Sequence, residues 1–341
     1  MPRVVIAPDK FRGTASAAAV AGAMATAATD RGWDAVLLPL SDGGEGLLDA
    51  CAALCPEVVV SRVTGPDGSP VEAEWRMGDG VAVIEMARAS GLELAGGPGR
   101  NDPVEATSRG TGELVVAAVE RLGPGGTVIL GLGGSATTDG GTGIRDAVVR
   151  SGGLAGVELI GAYDVDTSYT DAAVLFGPQK GAGPGQVALL TRRLEEQAEA
   201  WARDLGTDVR SIPGTGAAGG AGGAVAVLGG SLRSGYGLVA GLVGLTAALD
   251  TADRAVTGEG ALDAGSFAGK VVGGVMGDAR ARGIPTLVVV GRASVDASSR
   301  AEGDGCTVVS LVGRFGTGRA FAATLDCVEE ATADWLGRPR G

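Results

Sequence analysis

Val4-Val5-Ile6-Ala7-Pro8-Asp9-Lys10-Phe11-Arg12-Gly13 is the stretch that decides the fold. Its apolar half reads as a buried strand that Pro8-Asp9 ends. Thr14 can cap a helix running through the alanine-rich stretch to about Asp30. Ala35 to Leu40 reads as a second strand, followed by Ser41-Asp42-Gly43-Gly44-Glu45-Gly46 and a helix to about Leu54. This βαβα opening predicts a parallel sheet with ligands at the carboxyl ends of its strands.

Beyond it the pattern changes. Val58–Val63, Val71–Arg76 and Val81–Met86 alternate around the turn Gly65-Pro66-Asp67-Gly68 and read as antiparallel strands. A helix from about Thr111 to Leu122, strands Thr127–Leu132 and Val157–Tyr163, and a charged helix from Gln186 to Leu205 follow. From Gly235 the βα rhythm returns: helix 235–249, strand Arg254–Thr257, the loop Gly258-Glu259-Gly260-Ala261-Leu262-Asp263, helix 270–282, strands Thr286–Val290 and Thr307–Leu311, and a final helix from about Gly318 to Leu336. The two chain ends (1–57 and 232–341) thus predict one doubly wound α/β domain, with an inserted α+β domain over 58–231.

Charge excludes several functions. A net charge of -12 over 341 residues repels phosphate backbones, so no nucleic-acid partner is expected. The longest apolar stretch, Tyr236 to Leu249, is too short to span a bilayer, so no membrane role is expected. The chain opens on an apolar strand with no leader pattern, which predicts a cytoplasmic protein. Cys51, Cys55, Cys306 and Cys327 form no CxxC pair and read as buried thiols. There is no histidine, which removes every His-based triad and His metal ligand. Lys10, Lys180 and Lys270 are the only lysines; all three stand in glycine-flanked motifs, where a compact ammonium can serve an anion.

Carboxylates at adjacent strand ends, Asp9 and Asp42 with Glu45, can hold Mg²⁺ or accept a proton. The structural alternative is that they only cap helices. Gly133-Gly134-Ser135-Ala136-Thr137-Thr138-Asp139-Gly140-Gly141 follows a strand and offers backbone N–H groups to phosphates. Asp164 and Asp166 alternate at a strand end and point to opposite faces, so one can meet a ligand while the other is structural. Glu259 and Asp263 are similar candidates. Gly214 to Gly219 matches GxGxxG, but no strand precedes it, and helix packing on small residues explains it better. Gly265 to Lys270 is one residue short of a Walker A loop and lacks its Ser or Thr. These parts suit phosphoryl transfer, which needs positioning, a metal and fixed positive charge more than it needs a histidine.

The chain resembles the bacterial glycerate kinase family. The resemblance rests on Pro8-Asp-Lys-Phe-Arg-Gly13, Ser41-Asp-Gly-Gly-Glu-Gly46, Thr107-Ser-Arg-Gly-Thr-Gly-Glu113, Gly133 to Gly141, Asp164-Val-Asp166, Phe176-Gly-Pro-Gln-Lys-Gly181, Gly216-Ala-Ala-Gly-Gly220 and Thr257-Gly-Glu-Gly260 with Asp263 and Gly269-Lys270. It implies a flavodoxin-like domain built from both chain ends and an inserted restriction-endonuclease-like domain. It also implies ATP- and Mg²⁺-dependent phosphorylation of D-glycerate, usually at the 2-hydroxyl, in an interdomain cleft. On this reading Asp42, Lys10, Asp164 and Lys270 are catalytic, and Asp9, Glu45, Arg109, Lys180, Glu259 and Asp263 bind substrate. Gly133, Gly134, Ser135, Thr137 and Asp139 would bind nucleotide and Asp166 the metal, in a monomer or homodimer. The segment between Gly143 and Asp164 is shorter than in relatives, and Thr167-Ser168-Tyr169 replaces the usual Asn-Pro-Leu. Ala261 and Gly265 stand where the family often carries Arg and Gln. Those losses leave open another small hydroxy acid as substrate, or a non-catalytic binding role.

Overall fold

Val4, Val5 and Ile6 have no solvent exposure, and neither do Leu287 through Val290, so these apolar runs lie in a sheet covered on both faces. The computed structural model describes residues 1–337. Its strands are β1 (Arg3–Ile6), β2 (Asp34–Leu37), β3 (Glu57–Thr64), β4 (Pro70–Gly78), β5 (Val81–Glu85) and β6 (Thr127–Gly131). They continue with β7 (Glu158–Tyr163), β8 (Ser231–Ser234), β9 (Arg254–Leu262), β10 (Thr286–Ala293) and β11 (Cys306–Ser310). The chain forms two compact units, one of Met1–Asp42 with the chain from Tyr236, the other of Gly43–Gly235.

The terminal unit carries a five-stranded sheet in the order β11-β10-β9-β1-β2, with every pairing parallel. One face packs Val4, Ile6, Val256, Leu287 and Val289 against Val20 and Met24 of helix Ala17–Asp30 and Val328 and Ala331 of helix Thr324–Leu336. The other packs Val288 and Val290 against Val272, Met276 and Ala297. Each aliphatic side chain so buried contributes about 1.5–3 kcal/mol. Arg254 is buried with its guanidinium between the rings of Trp33 and Trp335, at 5.0 and 4.8 Å.

The inserted unit carries a six-stranded mixed sheet in the order β3-β4-β5-β6-β7-β8. β3, β4 and β5 pair antiparallel, as their alternation predicts, and β5 through β8 run parallel. Trp75, Ile84, Leu114 and Leu130 anchor its main core, while Tyr169, Leu190, Leu194 and Trp201 form a second under the long helix Pro184–Leu205. Among the described residues no helix is long and apolar enough to cross a membrane.

Several local expectations are corrected. Ser16, not Thr14, caps the first helix by accepting from Ala19 N; the Thr14 hydroxyl turns back to the Phe11 carbonyl. The residues after Thr257 are not a loop. β9 continues to Leu262, paired with β10, because the glycines let the strands approach: a Cβ on Gly258 would stand 2.2 Å from the Val289 carbonyl. Gly244, with φ +72°, divides the expected helix 235–249. Ala323, at φ -136° and ψ 50°, breaks the expected final helix into Thr317–Ala322 and Thr324–Leu336. Helix Thr142–Arg150 and the polar strand β8 lack an apolar run long enough to announce them.

Candidate active site

In the terminal sheet the strand order reverses between β1 and β9, and open parallel sheets bind ligands outside the carboxyl ends at such a point. Asp9 and Lys10 follow β1 there. The Asp9 backbone N–H donates to the Gly258 carbonyl at 2.8 Å, tying the two strand ends together. Asp9 and Asp42 are only 7% and 9% exposed. Between them stands the Lys10 ammonium, 3.7 Å from Asp9 Oδ1 and 3.9 Å from Asp42 Oδ1. Burial pushes the Asp9 carboxyl up to about 6, with Lys10 opposing and Asp42 adding to the shift. Lys270 opposes it too, so two of the three lysines act on one carboxylate.

Glu259, on β9, completes the group. Burial raises its carboxyl to about 7, helped by Asp9 and Asp263 and opposed by a hydrogen bond from Ser266 and by Lys270. Its Oε1 is buried with no hydrogen-bond partner. Such an orphan costs roughly 1–3 kcal/mol, and a substrate hydroxyl or a cation would relieve it. Asp263 accepts from Gly265 N at 2.8 Å and caps the short turn Ala264–Phe267; Lys270 opens helix Val271–Arg280.

In the inserted unit the loop after β6 is built backbone to backbone. A Cβ on Gly133 would lie 2.7 Å from Gly44 Cα, so only glycines allow Gly43-Gly44 and Gly133 to pass so closely. Gly134, φ +65°, is the exposed apex, while Ser135, Thr137 and Thr138 are buried. Lys180 is buried beneath them and donates to Ser135 Oγ at 2.9 Å and the Thr137 carbonyl at 2.6 Å. Burial lowers its ammonium to about 7, with Asp139 opposing. Gly219, φ +74°, lies against that carbonyl: a Cβ there would stand 2.0 Å from Thr137 O. Gly219 and Gly220 therefore pack under this loop in left-handed backbone rather than through a helix, while Gly214 lies against the Tyr163 ring and Gly216 against the Ser168 carbonyl.

The other expected residues lie in the inserted unit. Asp139 spends its carboxylate inside the unit, accepting from Ser108 N and Oγ at 2.8 and 2.7 Å and from Gly141 N at 3.0 Å. Arg109 is exposed and ion-paired with Glu113 at 2.8 Å. Glu45 and Asp166 are exposed and Asp164 half-buried. Among the described residues no three His, Cys, Asp or Glu side chains form a metal cluster. Mg²⁺ commonly takes only one or two carboxylates plus substrate phosphates, and the Asp166 carboxylate is exposed. Sequence reasoning missed Asn101, whose amide donates to the carbonyls of Ala136 and Lys180 at 2.9 Å each, and Glu85, 2% exposed, which accepts from Leu48 N. Neither stands in a motif that announces a role.

Known proteins share this chain's sequence pattern and fold. The model of the glycerate kinase family matches residues 4–151 and 149–334. The glycerate 2-kinase of Escherichia coli K12 is 38% identical over 332 residues, covering 86% of each chain. The glycerate kinase of Bacillus subtilis 168 is 35% identical over 343 residues, covering 87% of each. A crystal structure assigned as a glycerate kinase 2 of Salmonella typhimurium LT2 superposes with a TM-score of 0.80 at 30% identity, covering 98% of this chain and 97% of that one. Because the match runs along nearly the whole chain and takes in the lysine, carboxylate and glycine loops described above, this protein is an enzyme that belongs to the glycerate kinase family.

Proposed function

We propose that the chain transfers the γ-phosphoryl group of ATP to the 2-hydroxyl of D-glycerate, giving 2-phosphoglycerate and ADP. The observation that carries this reading is Lys10 held between two buried carboxylates at the strand ends, with the orphaned Glu259 Oε1 beside them. The ammonium groups of Lys10 and Lys270 offer fixed positive charge to a moving phosphoryl group. Asp42 orients the acceptor hydroxyl. Glu259 is a second group suited to take up its proton, because a carboxyl raised to about 7 works near neutral pH.

Gly134, the exposed apex of the loop after β6, with the half-buried Gly133 before it, would receive nucleotide phosphates on backbone N–H groups. Mg²⁺ would enter with ATP, held by Asp166 and the phosphates, and would neutralise charge on the transferred group. We read the terminal sheet as flavodoxin-like. Numbered within the unit, its order is 2-1-3-4-5, which supports that description. The resemblance extends the reading to a restriction-endonuclease-like insert, and ATP as co-substrate favours a cytoplasmic location.

The test is ADP release by the purified protein over a panel of small hydroxy acids with ATP and Mg²⁺. The expected result is turnover with D-glycerate and 2-phosphoglycerate as product, identified by ³¹P NMR. Turnover with a different hydroxy acid alone would change the substrate, and no ADP with any of them would end the kinase reading.

A further inference from the structure

The strand ends that carry Asp9, Asp42, Glu259 and Asp263 hold only Lys10 and Lys270 as ammonium groups. A carboxylate acceptor arriving there meets an excess of negative charge unless a further cation receives it. β9 carries none beyond Glu259, because position 261 is alanine.

β10 carries one. In the parallel register Glu259 stands opposite Val290 and Ala261 opposite Arg292. Register partners on neighbouring strands lie about 4.8 Å apart, and alternate residues of a strand share a face. Arg292 therefore leaves the sheet beside the methyl of Ala261, one alternation beyond Glu259 and on its side. No bulky side chain at 261 takes that space.

Arg292 is exposed and enters no ion pair among the described residues. Of the other arginines of the same unit, Arg280 pairs with Asp304, Arg282 with Asp250, Arg314 with Asp334 and Arg319 with Glu330. Arg12, exposed on the loop after β1, enters no ion pair among the described residues either and is the rival cation. Arg300 lies 4.2 Å over the ring of Phe267.

We propose that Arg292 binds the carboxylate of the acceptor, supplying from β10 the positive charge that β9 lacks at position 261. The inference rests on the acceptor site proposed above. A guanidinium can grip a carboxylate through two parallel N–H···O bonds, which a single ammonium cannot do. Arg292 would thus select acids over neutral polyols without touching the transferred phosphoryl group.

Steady-state kinetics of Arg292→Gln test it, with D-glycerate and its neutral amide as acceptors. The expected KM for glycerate rises roughly ten- to a hundredfold, the range of a charge-assisted contact, while KM for ATP stays within twofold. The amide is used equally by wild type and variant. Ala261→Arg added to Arg292→Gln returns at least tenfold of the lost affinity, because it puts the cation back on the adjacent strand. If wild type turns over glycerate and Arg292→Gln keeps its KM within twofold, this inference falls while the kinase reading stands. A raised KM in Arg12→Gln, on the loop after β1, with none in Arg292→Gln would likewise overturn it. If wild type phosphorylates no hydroxy acid, both readings fall together.

Discussion

The ammonium nitrogen of Lys180 lies 2.6 Å from the carbonyl oxygen of Thr137. It also reaches Ser135 Oγ at 2.9 Å, and 3% of the residue is exposed. Lys180 is therefore a strut under the glycine loop after β6, and the loop's shape depends on this buried amine as a hydrogen-bond donor.

The first prediction follows from that burial. Lys180 falls from an ordinary 10.5 to about 7 on folding, so between these values the unfolded chain holds a proton that the folded chain does not. Stability then rises with pH from about 7 to about 10.5. Lys180→Met should flatten that limb and abolish most activity by loosening the loop. Thermal melts at several pH values compare the slopes; equal slopes in the two proteins would show that Lys180 stays charged in the fold.

Gly134→Val should damage nucleotide use. Gly134 has φ +65°, and a Cβ there would lie 3.1 Å from Ala87 Cβ. The left-handed conformation alone costs about 1–2 kcal/mol for a side chain. The expected outcome is a lower Tm and a KM for ATP raised at least tenfold, on the order of one lost phosphate contact. A KM for ATP unchanged in a folded variant would make this loop purely structural.

Asp42→Asn should lower kcat by roughly 10²–10⁴-fold with KM for ATP little changed, since it removes an acceptor for the hydroxyl proton at almost constant volume. It also removes the charge 3.9 Å from Lys10 Nζ. Near-normal kcat with the true acceptor would pass the role to Glu259 or Asp9.

Glu259 should produce a pH signature in both activity and stability. Its carboxyl is raised from 4.5 to about 7, so between these values the folded chain holds a proton that the unfolded chain has lost. Its contribution is present below about pH 4.5 and is lost as pH rises through 7. Glu259→Gln should therefore be more stable than wild type at pH 8. It should also lose the rise in kcat/KM near pH 7 that a proton-accepting Glu259 gives. A wild-type limb that survives in the variant would belong to Asp9 or another group.

Much of this was legible in the chain. Runs such as Val4-Val5-Ile6 and Thr286 to Val290 announce buried parallel strands because they are short, rich in β-branched residues and bounded by turn residues. The Pro8-to-Gly13 and Gly133-to-Gly141 motifs announce ligand loops through their glycines and charges. β8 and helix Thr142–Arg150 were illegible, since Ser231-Leu-Arg-Ser234 and Thr142 to Arg150 are held by their neighbours more than by their own pattern. The end of β9 reads wrongly for a related reason. In Gly258-Glu259-Gly260-Ala261-Leu262 the glycines signal a turn, yet here they serve close strand approach.

By itself the sequence determined the α/β class, the family, and which residue types can carry phosphoryl transfer without histidine. Periodicity and glycine spacing are local properties, and they survive in a string of letters. Only the tertiary structure decided that Lys10 lies between Asp9 and Asp42, that Lys180 is buried as a strut, and that Ala261 and Arg292 are neighbours. Apart from the neighbours Asp9 and Lys10, those relations join residues far apart in the chain, and burial and strand register set both their distances and their proton affinities.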